Sequence, residues 1–117
     1  MGAITWAVVR FTRPGFHRWP AADTVLGGRR AYLGQIHRHL FHVEARVQVV
    51  HGDREIEFHE LLDFCTAQFT GGNFGTQSCE MLASALRHDL ETRHPGRLVT
   101  VSVFEDGEVG AVVENSA

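Results

Sequence analysis

An α+β domain, an antiparallel sheet with two helices on one face, is the fold class this chain predicts, on three observations. Residues 36–50 and 98–105 alternate apolar and polar side chains with the two-residue period of a strand, while 3–11, rich in Ile, Trp and Val, and 108–113, after a hairpin turn, also read as strands. Two stretches of helical spacing fall between 36–50 and 98–105. The turn sequences His51-Gly52-Asp53 and Asp106-Gly107 then fold strands back on their neighbours, which makes the pairing antiparallel. At 117 residues the chain holds one domain, residues 1–117, with no repeat, linker or low-complexity segment.

The elements follow in order. The first strand, 3–11, is rich in Ile, Trp and Val, and Arg13-Pro14-Gly15 predicts its end or a bulge. Residues 16–20 then lead into a loop with Gly27-Gly28 at its middle. The second strand, 36–50, is the longest. One of its faces reads His37, His39, Phe41, Val43, Ala45, Val47, Val49, and the other is mostly polar. After the turn at 51–53, residues 54–58 are expected to return as a short strand. A first helix over 59–69 carries Leu61, Leu62, Cys65 and Phe69 on its apolar side. Residues 70–75, with three glycines and an asparagine, break it. The second helix starts at Ser78, a suitable N-cap, with Glu80 in the first turn and a stripe of Leu82, Ala83, Leu86 and Leu90. His94-Pro95-Gly96 stops it. The order is strand, strand, helix, helix, strand, strand, with the short strand before the first helix.

Composition narrows function. A formal net charge of -3 and no arginine-aromatic patch argue against a nucleic-acid partner. No apolar run reaches membrane-spanning length, and residues 1–20 lack a charged segment followed by an apolar one, so a cytoplasmic protein is expected. Cys65 and Cys79 have no CxxC spacing, which speaks against a disulfide framework and a zinc ribbon. Eight histidines raise the expectation of a metal site.

That expectation has a geometry. His37 and His39 lie two residues apart on the apolar strand face, so their backbones are about 6.6 Å apart and both rings can reach one ion. On the third full strand Val99, Val101 and Val103 share a face with Glu105, so an apolar row ends in a carboxylate. A charge so placed must be paired, solvated or bound to a ligand. His37-x-His39 followed by Glu44 also mimics the ligand spacing of cupin-like metal oxygenases, but Glu44 has the opposite strand parity and needs a bulge to join them.

The chain resembles the 6-pyruvoyl-tetrahydropterin synthase family, which includes the 6-carboxy-tetrahydropterin synthases of deazapurine (queuosine) biosynthesis, along nearly its whole length. Gly15-Phe16-His17-Arg18-Trp19-Pro20 resembles the end of the family's first strand, and Ile36-His37-Arg38-His39 resembles its Leu-His-Gly-His. Residues 56–61 resemble its strand-to-helix segment, and Gln77-Ser78-Cys79-Glu80-Met81-Leu82-Ala83 the start of its second helix. The resemblance implies the tunnelling fold, in which sheets of several subunits close into a barrel, a homo-oligomer such as the family hexamer, with active sites between subunits. It implies zinc on His17, His37 and His39, a pterin-like or guanine-like substrate held by Glu105 with Ser78 and Glu80 nearby, and a lyase reaction. Two positions depart from the family. Leu33 stands where its catalytic cysteine belongs, and residues 70–75 are too short to hold its Asp-His relay. Cys79, whose thiol pKa the helix N-terminus would lower, is then the candidate catalytic residue. A pterin- or purine-binding protein with zinc but no synthase turnover is the alternative expectation.

Overall fold

The computed structural model describes residues 2–115. Four strands, β1 (Thr5–His17), β2 (His37–Val49), β3 (Val99–Glu105) and β4 (Val109–Glu114), form one antiparallel sheet in the order β1-β2-β3-β4. Two helices, α1 (Phe58–Ala67) and α2 (Cys79–Arg93), lie between β2 and β3 in the chain. The α+β class and the two-helix insertion are as the periodicities predict.

The odd-numbered residues explain the core. The register sets Val9 opposite Ala45 and Ala45 opposite Val101, so the apolar faces of β1, β2 and β3 form one continuous surface. Leu61 and Cys65 of α1 and Leu82, Ala83, Leu86 and Leu90 of α2 bury themselves against it. Ser78 caps α2 as predicted, its hydroxyl accepting from the Met81 amide at 3.1 Å. Among the described residues no helix is long and apolar enough to cross a membrane.

Two expectations fail locally. Residues 54–58 do not form a strand: Arg54 takes a left-handed turn (φ 55°), and the Glu57 carboxylate caps α1 by accepting from the His59 amide, so Phe58 already belongs to the helix. Nor does Pro14 end β1, which runs without a bulge to His17, opposite His37. The even-numbered residues of β1 point their backbone groups away from β2, as Phe16 shows by bonding to Gly72 and Phe74. The N–H that Pro14 lacks therefore belongs to the outer edge, where no ladder bond is lost. This extension carries His17 beside the histidines of β2.

Residues 18–36 cross the end of the sheet in three 3₁₀ turns, Ala22–Thr24, Leu26–Gly28 and Ala31–Gly34. The Trp19 amide donates to the Leu33 carbonyl at 2.8 Å and Arg18 reaches the Gly34 carbonyl, which holds Leu33 over the β1–β2 end.

Candidate metal centre

Beyond the last apolar layer the same sheet face turns polar all at once. His17 from β1, His37 and His39 from β2 and Glu105 from β3 each offer one ligand atom, and these atoms all lie within 4.8 Å of one another. Phe41 forms the floor, its ring edge-on to His17 and His39 at centroid distances of 5.2 and 5.7 Å, with Phe74 behind it. An apolar floor lowers the local dielectric and strengthens any charge interaction above it.

Each imidazole is held by its far nitrogen. His17 Nδ1 donates to the Gln77 carbonyl, His37 Nδ1 to the Gln35 carbonyl and His39 Nδ1 to the Asp106 carboxylate, all at 2.8 Å. Carbonyl oxygens only accept, so the proton sits on Nδ1 and the Nε2 lone pair faces the cluster. Asp106 is a sound acceptor because the Leu40 amide, and then His39, hold its carboxyl below its usual pKa. Three rings oriented by outer partners with their free nitrogens convergent are the arrangement of metal-bound histidine. His17, His37, His39 and Glu105 could hold a metal ion.

Glu105 Oε2 stands 2.9 Å from His17 Nε2 and 3.5 Å from His39 Nε2. Yet both nitrogens are buried without a hydrogen-bond partner, so the short approach is not aligned as a hydrogen bond. Several electron-pair donors gathered in this way are best satisfied by a cation.

A cavity of about 550 Å³ opens beside the cluster. His17, His37 and Glu105 reach it from the sheet, Ser78, Cys79 and Glu80 from the start of α2, and Leu33 from the 3₁₀ segment. The predicted site residues are thus brought together, with two differences in character. The Ser78 hydroxyl is engaged as a helix cap. The Cys79 thiol is pushed up to about 12, first by burial and then by the charges of Glu105 and Glu80, which together outweigh the helix N-terminus expected to lower it. Glu44 lies on the opposite sheet face, bonded to Arg10 at 2.7 Å and Arg46 at 2.6 Å, so the cupin-like ligand set does not assemble. The roles of Gln35, Gln77 and Asp106 have no sequence signal of this kind. Two act through backbone carbonyls, which carry no side-chain signature, and Asp106 reads in the sequence only as half of a hairpin turn.

No protein-family model matches the chain, and no curated protein matches it by sequence. In fold it is similar to the crystal structure of the uncharacterized protein WS1659 from Wolinella succinogenes, with a TM-score of 0.75 and 15% identity over 98% of this chain and 100% of that one. At that identity the likeness shows a shared fold.

Proposed function

We propose that this is a zinc protein of the 6-pyruvoyl/6-carboxy-tetrahydropterin synthase type, with the tunnelling fold and a homo-oligomeric barrel, acting on a pterin-like or guanine-like substrate. The observation that carries the proposal is the convergence of three Nε2 lone pairs in one cluster, of which His17 and His37 also line the adjoining cavity. Those three histidines are also the residues on which the family resemblance places its zinc ligands. Zinc suits neutral imidazole, and when bound it would polarise an oxygen of the substrate. The chain's own residues orient the rings through Gln77, Gln35 and Asp106 and enclose the substrate between α2 and the 3₁₀ segment. Carboxylates at the cavity, Glu105 and Glu80, suit the donor edge of an aminopyrimidinone ring.

A second reading, binding without synthase turnover, is favoured by Leu33. It lines the cavity and has no group that accepts a proton. Removing a positioned base typically costs about 10²–10⁴-fold in rate and leaves binding intact.

The test combines metal analysis, ligand binding and turnover of dihydroneopterin triphosphate by wild type and Leu33→Cys. One zinc per subunit, lost from the His37→Ala/His39→Ala double variant, and binding of a pterin or guanine compound are expected. Wild-type turnover is expected to be little or none. Undiminished zinc in the double variant would refute the site. Binding of no such compound would remove the ligand assignment, and robust wild-type turnover would remove the second reading.

A further inference from the structure

The family resemblance, and with it the proposed function above, gives Glu105 to the substrate ring. We infer instead that Glu105 is the fourth protein ligand of the metal, so the centre is three histidines and one carboxylate. The inference rests on the metal centre of the proposed function and changes the role of one residue in it.

Three observations carry it. The first is distance. For bonds of about 2.0–2.2 Å, neighbouring ligand atoms of a tetrahedral zinc stand roughly 3.3–3.6 Å apart. Glu105 Oε2 lies 3.5 Å from His39 Nε2, within that spacing, and 2.9 Å from His17 Nε2, a few tenths of an ångström below it. The second is the proton count. His17 and His39 each spend the Nδ1 proton on Gln77 and Asp106, so neither has a proton on Nε2 for Glu105 unless the ring is an imidazolium. The nitrogens are also buried and not aligned with the carboxylate as hydrogen-bond donors. Electron-pair donors that meet closely with no proton between them suit a shared cation. The third is register. Glu105 pairs with Phe41, the floor of the cluster, and its side chain is 24% exposed. The strand ladder therefore aims it along the sheet face toward the histidines.

The assignment has a chemical consequence. A catalytic zinc keeps its fourth position for water or substrate, whereas four protein ligands close it. A carboxylate also reduces the net charge of the centre from +2 to +1, which weakens its pull on a substrate oxygen. Both effects oppose the proton removal that a synthase of this type needs, in the same direction as Leu33.

Zinc affinity, measured by competition with a chromophoric chelator, and the visible spectrum of the Co²⁺ protein test the inference in wild type and Glu105→Gln. Loss of a direct ligand should exceed the 10–100-fold typical of an outer partner, so Glu105→Gln is expected to weaken zinc by more than about 100-fold. Thiocyanate should leave the wild-type cobalt spectrum unchanged and shift that of Glu105→Gln, whose fourth position is open. Wild-type zinc affinity and spectrum in Glu105→Gln, with loss only of pterin or guanine binding, would overturn the inference and leave the proposed function standing. Wild type that binds neither zinc nor cobalt would overturn both. Should Glu105→Gln not fold, the wild-type response decides: a thiocyanate shift there means an open metal and refutes the assignment.

Discussion

Gly15 shows how closely the site depends on single residues. It lies on the core face of β1 opposite His39, and a Cβ built there falls 2.2 Å from the Phe74 ring. The hydrogen at this position lets Phe74 slide under the histidines, and Phe74 in turn anchors the segment that presents the Gln77 carbonyl to His17. Gly15→Ala should therefore force a ring displacement and destabilise the fold by about 1–3 kcal/mol. Urea unfolding should show a lower midpoint with an unchanged slope. An unaltered midpoint would mean that the ring has free space to move. Nothing in the sequence distinguishes this glycine from a strand-breaking one, because its role depends on an aromatic ring 59 positions away.

Elements were legible in proportion to how local their determinants are. Strand parity places His37 and His39 on the apolar face of β2 and Glu105 on that of β3, which the register joins, and Asp106-Gly107 marks the hairpin between β3 and β4. The passage of β1 through Pro14 depends on which edge of the strand is paired, and the early start of α1 on a carboxylate that caps it, neither of which periodicity encodes. The end of α2 makes a prediction of its own. His94 caps this helix, its Nε2 is buried without a partner, and burial first, then Arg93 and Arg97, hold its pKa below the ordinary 6.5. The folded protein thus keeps the ring neutral to a lower pH than the unfolded chain does. Its contribution is fully present above about pH 6.5 and is lost as pH falls from there through the depressed folded value, because the unfolded chain takes up the proton first. His94→Gln should reduce the drop in urea midpoint between pH 7.5 and 5.5, measured with chelator present so that both proteins are metal-free. An equal drop in both would assign the pH dependence to other groups.

At the scale of the whole molecule, shape and edges bear on assembly. The radius of gyration is 16.0 Å with extents of 51 × 29 × 23 Å, against roughly 13 Å for a compact domain of this length. The excess comes from the thirteen-residue strands β1 and β2, which outrun β3 and β4. From Thr5 to Pro14 the outer edge of β1 has no partner among the described residues, and β4 ends the sheet on the other side. Exposed Val8 and Val112 add apolar surface near these edges. Unpaired edges of this length are normally covered, and closure of one sheet onto the next covers both at once. If subunits pair in this way, β1 of one copy must offer its even-numbered amides to a neighbour. Val8 is one of these, directed away from its β2 partner Arg46. Val8→Pro removes that donor while leaving the β1–β2 ladder intact, as Pro14 does naturally. Light scattering at micromolar concentration should give a closed oligomer for wild type and smaller particles for Val8→Pro, with the folded spectrum retained. A wild-type monomer would refute the closed barrel, and with it any active site between subunits. A variant that stays fully assembled would place the contact elsewhere than on the β1 edge.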